Sequence, residues 1–151
     1  MWEAVFSTVN LLALAAWFIL ILLPRKPLAM SVVLYLGVGL LCLVYAAGLI
    51  SILTGIADPI GPEGASTSFS TIEGVRALFA SDGGVAVGWT HYLAFDLFVG
   101  LWIAKDADAK GFSRIIQAPI LLATFMAGPV GLLVWLILRE RSARKFGRKQ
   151  A

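Results

Sequence analysis

Four apolar runs constrain this chain more than any motif in it. They extend roughly over Val5–Leu23, Leu28–Thr54, Val85–Ala104 and Ile115–Leu138, and each is close to or above the about 20 residues that an α-helix needs to cross a bilayer. In hydrocarbon every backbone N–H and C=O must find a partner within the protein, so runs of this kind become helices. The 151 residues are 60% hydrophobic, and the runs use most of them, which leaves no room for a separate soluble module. The expected fold is an all-α integral membrane protein: four transmembrane helices in an antiparallel bundle over residues 1–139, then a basic tail over 140–151.

The connections punctuate this pattern. The first run has Glu3 as its only early charge and ends in Leu23-Pro24-Arg25-Lys26-Pro27, with neither the basic start nor the small-residue cleavage site of a signal peptide, so a retained helix is expected. The two prolines around Arg25-Lys26 make a tight turn between antiparallel neighbours. In the long connection from about Gly55 to Gly84, the stretch Asp58–Gly64 is turn-rich. Ser70-Thr71-Ile72-Glu73 then matches a capping box with Ser70 as N-cap, and Ile72, Val75, Leu78 and Phe79 follow at helical spacing. These predict a short helix lying at the interface, ended by Asp82-Gly83-Gly84. Lys105–Gly111 reads as a short charged loop. Its Asp106 and Asp108 resemble metal ligands, but two carboxylates in such a loop are ordinarily solvated, so no metal is expected. Cys42, the sole cysteine, excludes an intramolecular disulfide.

Charge bears on sidedness. The tail carries Arg139, Arg141, Arg144, Lys145, Arg148 and Lys149, an arrangement that anchors a helix end to anionic lipid. Nucleic acid is not an expected partner, because no aromatic or motif supports it. Four crossings put both termini and the long connection on one side, with Arg76 and the tail. The other side then holds Arg25, Lys26, Lys105, Lys110 and Arg114. The five short-loop cations pull the other way, but the tail favours cytoplasmic termini, and both termini are expected on that side.

Chemistry is expected where polar groups sit at depth. The third run contains the chain's only histidine, His91, and a carboxylate, Asp96, near its centre. An ionised carboxylate there costs about 2.5–3.5 kcal/mol on insertion scales. Counting from each run's midpoint, Asn10, Tyr45, His91 and Pro129 lie about 5 Å to the termini side, and Asp96, Thr124 and Trp17 lie slightly across it. His91 and Asp96 are separated by about 140° around a straight helix. Trp89, Tyr92 and Asp96 share one face, and His91 lies with Val87, Ala94 and Phe95. His91 and Asp96 are the candidate acid–base groups; a plain hydrogen bond to a neighbouring helix is the competing reading for each. Asn10, Tyr45, Trp89, Tyr92, Thr124, Gly128 and Pro129 are the candidate binding residues. Pro129 also predicts a kink in the last helix, with Gly128 and Gly131 keeping that stretch slim.

Trp89-x-His91-x-Leu93-x-x-Asp96-Leu97-Phe98, followed by Gly128-Pro129-Val130-Gly131-Leu132-Leu133, resembles the abscisic-acid-deficient-four-like membrane proteins. Plant members of that family are plastid proteins required to make neoxanthin from violaxanthin. The resemblance implies a membrane protein that modifies a xanthophyll or other carotenoid, a hydrophobic polyene, as an isomerase acting on its end group. The reaction opens an epoxide and shifts a double bond with no net redox change, so neither cofactor nor metal is implied. Asp96 would be the proton donor and His91 the base, or the reverse. The first run begins close to Met1 with no plastid transit region ahead of it, which points to a bacterial inner membrane.

Two further functional classes compete with this one. A non-catalytic carotenoid-binding or membrane-assembly partner would use His91 and Asp96 only to join helices. A proton-coupled carrier built on Asp96 is disfavoured by four helices with no internal repeat, unless the chain forms a homo-oligomer. A bis-histidine haem site is excluded by the single histidine.

Overall fold

The computed structural model describes residues 1–61 and 68–147, and for 141–147 the backbone alone. Among these residues there are six helices: α1 (Trp2–Leu22), α2 (Pro27–Leu53), α3 (Ile72–Leu78), α4 (Asp82–Ala109), α5 (Arg114–Met126) and α6 (Gly128–Gly147). Three of them, α1, α2 and α4, are long and apolar enough to cross a membrane, and the chain has the character of an integral membrane protein.

The fourth expected span is absent, and the four-helix bundle is corrected accordingly. The run Ile115–Leu138 is divided at Ala127, whose φ of −157° and ψ of 82° leave the helical region. Where the sequence predicts a kink at Pro129, the structure has a complete break. Pro129 falls in the first turn of α6, where a missing N–H costs nothing, so it starts a new helix instead of bending an old one.

The two pieces reverse direction. α5 begins at the C-terminal end of α4 and near the end of α1: Gln117 Nε2 donates to Asp108 Oδ1 at 2.9 Å, and Arg114 Nη1 to the Leu23 carbonyl at 2.9 Å. It ends beside the middle of α4, where the Tyr92 hydroxyl donates to the Met126 carbonyl at 3.0 Å. α6 then runs back. Gly128 lies against Asp96, Gly131 against Thr124, and Trp135 and Arg139 against Asp106. α5 and α6 thus form a helical hairpin with both outer ends at the Arg25–Asp106 end of the bundle and its tip at mid-height.

Small residues let the hairpin close. A Cβ added to Gly131 would fall 2.1 Å from Thr124 Oγ1 and 2.4 Å from the Thr124 backbone nitrogen, and backbone atoms cannot step aside. Gly131→Ala is expected to destabilise the protein by about 1–3 kcal/mol through overpacking. Thermal unfolding in detergent reads this directly; an unchanged midpoint would mean that the two helices are not pressed together there.

α4 is the central helix. Half of its apolar stretch is buried, against 28% for α1 and 17% for α2, because it touches α1, α2, α5 and α6. Lipid tails are as apolar as leucine, so burial of apolar area gives little drive, and close packing by small residues matters more. Ala13 and Ala16 of α1 and Ala94, Ala104 and Ala107 of α4 supply it. The stretch Val32–Gly39 of α2 is π-helical.

Three local expectations shift. The short helix α3 is present, but Thr71, not Ser70, caps it: Thr71 Oγ1 accepts from the Gly74 N–H at 3.1 Å. Asp82-Gly83-Gly84 opens α4 instead of closing α3, with Ser81 Oγ accepting from the Gly84 N–H at 3.0 Å. Asp106 and Asp108 belong to the last turns of α4, not to a loop. Of the turn-rich segment, Pro62, Glu63 and Gly64 lie outside the described residues, as do Arg148 and Lys149 of the tail, whose earlier part continues α6 to Gly147.

Candidate functional site

The hairpin tip is the polar centre of the protein. Ala127 interrupts the helix there, and freed backbone groups in hydrocarbon must be satisfied by protein. α4 supplies the partners. Tyr92 binds the Met126 carbonyl, and the Asp96 side chain is the group that meets the start of α6. A Cβ on Gly128 would sit 1.9 Å from Asp96 Oδ1, so only glycine lets the carboxyl come this close. The N-terminus of a helix carries unsatisfied N–H groups and partial positive charge, which suits a carboxylate.

Asp96 is 7% exposed, and its polar neighbours are the Tyr92 hydroxyl and the Gly128 backbone amide. Its Oδ2 is buried without a hydrogen-bond partner among the described residues. A buried carboxyl oxygen without a partner is costly, so such a group invites a functional explanation.

The network continues towards the Met1 end. Tyr92 stacks on Trp89 with ring centres 5.0 Å apart, and Trp89 Nε1 donates to Asn10 Oδ1 at 3.0 Å. Asn10 is held in turn by its own helix, donating from Nδ2 to the Phe6 carbonyl at 2.7 Å. Between α1, α4 and the hairpin tip lies a cavity of about 190 Å³ lined by Asn10, Ala13, Leu14, Trp89, Tyr92, Leu93, Phe125 and Met126. It is mostly apolar, with Asn10, Trp89 and Tyr92 supplying the polar atoms, and Asp96 lies directly behind Tyr92.

Of the sequence-derived candidates, Asn10, Trp89, Tyr92, Asp96 and Gly128 are therefore brought together. Pro129 is exposed on the first turn of α6, beside this group but outside the cavity lining. Thr124 is fully buried, donates to the Ile120 carbonyl at 2.8 Å, and faces Gly131. His91 and Tyr45 lie elsewhere. His91 is exposed on the α2 side of α4, stacked on Phe95 at 4.6 Å with the Tyr45 ring at 5.2 Å. It does not join Asp96, as the 140° separation implies.

A second polar cluster closes the opposite end of the hairpin. Arg25 has a side chain only 6% exposed and donates to Asp108 Oδ1 at 2.8 Å, to the Ala104 carbonyl at 3.2 Å and to Gln117 Oε1. Asp106 accepts from Lys110 at 2.6 Å, from Arg139 Nε at 2.8 Å and from Trp135 Nε1 at 3.1 Å. Both carboxylates are engaged by cations. Gln117 and Trp135 had no place in the reading of the sequence. The signal was one amide in an apolar run and two aspartates two residues apart: α5 brings Gln117 to Asp108, and the return of α6 brings Trp135 to Asp106.

The model of one protein family, described as ABA DEFICIENT 4-like, matches residues 4–135, which include the cavity, Asp96 and the hairpin tip. No curated protein and no solved structure matches the chain.

Proposed function

The chain belongs to the ABA DEFICIENT 4-like family, and on that premise we propose that it is a membrane-embedded isomerase acting on an oxygen-bearing carotenoid end group, with Tyr92 and Asp96 as the acid–base pair. One observation carries the reading. A buried carboxyl with an unpartnered oxygen stands behind a tyrosine hydroxyl that lines an apolar cavity at mid-height of the bundle. Small-ligand sites have this composition: apolar walls with a few convergent polar groups.

The chemistry balances within the pair. The Tyr92 hydroxyl gives its proton to the ring oxygen as the carbon–oxygen bond of an epoxide opens. Asp96 in its acid form resupplies Tyr92. The electron pair of a neighbouring carbon–hydrogen bond forms the new double bond, and that hydrogen returns to the pair as a proton. The product is an isomer, no electrons leave, and the two side chains end as they began. Asn10 and Trp89 orient the end group. The membrane proposed is a bacterial inner membrane.

Tyr92→Phe is expected to lower product formation by about 10²-fold or more, the lower end of what a positioned acid–base group contributes. Its structural cost, one hydrogen bond to the Met126 carbonyl, is about 0.5–1.5 kcal/mol. Pigment extracts from carotenoid-producing cells, read beside the unfolding midpoint, separate the two effects. Full product from Tyr92→Phe would exclude the tyrosine as donor.

A second reading has its own observation. Tyr92 binds the backbone at the tip, and Asp96 faces the first residue of α6, which is what a purely structural role looks like. The protein would then bind a carotenoid or an assembly partner without changing it. An unchanged pigment profile in every carotenoid background, with polyene bound to the purified protein, is its signature.

A further inference from the structure

Positive charge collects on one face of the bundle. α1 leads to that face, with Arg25 and Lys26 after it, and α4 ends there with Lys105 and Lys110 around its last turn. The hairpin starts there at Arg114 and returns there at Arg139, which binds Asp106. Arg141, Arg144 and Lys145 follow on the α6 backbone, and Arg148 and Lys149 come after them in sequence, outside the described residues. The opposite face holds the start of α1, the connection after α2, and α3. Among the described residues, Arg76 is its only lysine or arginine.

Basic segments are retained on the cytoplasmic side of a membrane. Four crossings would set the tail against the short loops and leave the sides nearly balanced. The hairpin removes that conflict, because α6 returns to the side from which α5 came. Its tip is acceptable at membrane depth since Tyr92 and Asp96 meet its backbone and Gly128 is buried against α4.

We infer that the chain crosses the membrane three times, with the Met1 end of α1 outside, and that α5–α6 is a re-entrant hairpin inserted from the cytoplasmic leaflet. The basic face rests on the anionic headgroups of that leaflet. The two ends of the chain therefore lie on opposite sides. The cavity lies beyond the hairpin tip, towards the outer face, with Asn10 and Trp89 on its outer side, so the site is served from the outer leaflet. That last point rests on the proposed chemistry; the orientation does not.

Single cysteines in a Cys42→Ala chain test it: Ser70→Cys before α3, Ser113→Cys between α4 and α5, and Gln150→Cys in the tail. A membrane-impermeant maleimide is expected to label Ser70→Cys in intact bacterial cells, and the other two only after the cells are opened. Labelling of Gln150→Cys together with Ser70→Cys would mean a fourth crossing and overturn the hairpin. Labelling of Ser113→Cys in intact cells, with Ser70→Cys protected, would reverse the orientation and overturn it too. The readout needs no substrate, so failure here leaves the isomerase reading standing, and failure of the pigment test leaves the orientation standing.

Discussion

Asp96→Asn is expected to lower formation of the isomerised carotenoid by about 10²–10⁴-fold, the usual contribution of a general acid–base group, while the hairpin stays folded. The amide keeps the shape and its place against Gly128, but it cannot supply a proton to Tyr92. His91→Ala is the matched control. His91 stacks on Phe95, beside Tyr45, on another face of the same helix, so its loss is expected to leave product formation within about one order of magnitude, far short of a general acid–base loss. The pigment profile of cells carrying each variant, at equal membrane content, decides it. Undiminished product from Asp96→Asn would remove the carboxyl from the chemistry, and a collapse in His91→Ala alone would move the site to the face of α4 where His91 meets Tyr45.

The largest loss of stability is expected from Trp135→Ala. Trp135 is fully buried, packs edge-on against Phe112 with ring centres 5.0 Å apart, and donates to Asp106 Oδ2 at 3.1 Å. Deleting a buried tryptophan side chain costs about 3–5 kcal/mol, from lost contacts and an unfilled cavity. Packing contacts and hydrogen bonds hold helices together in lipid, where the hydrophobic drive is weak, so the loss is not made up by exposing apolar surface. Denaturation in mixed micelles measures it. Trp135→Phe should recover most of the packing but not the bond to Asp106, which splits the two contributions. A Trp135→Ala protein as stable as the parent would show that the return of α6 to Asp106 is not what holds the hairpin shut.

These two residues also mark how much of the protein could be read in its sequence. Asp96 stood out because a carboxylate in the middle of an apolar run has few cheap explanations, and simple helical counting already put it with Trp89 and Tyr92 and away from His91. The structure keeps that division. Trp135 gave no such signal, since a tryptophan near the end of an apolar run suits a membrane interface equally well. Its partner Asp106 looked like a solvated loop residue because the helix was expected to stop at Ala104. α4 in fact extends to Ala109.

The class of the protein follows from residue order alone: long apolar runs in a bilayer have no alternative to helices, and the order of polar residues along a helix settles which of them share a face. The path of the last run depends on contacts made in the folded bundle. Gly128-Pro129 predicts a kink, but whether the chain bends and goes on, or turns and goes back, depends on groups distant in sequence. Here Tyr92 and Asp96 meet the exposed backbone at the tip, and Asp106 draws Trp135 and Arg139 to the end where α5 began. A break in hydrocarbon persists only where such partners stand ready, and their positions are a property of the folded bundle, not of the run that breaks.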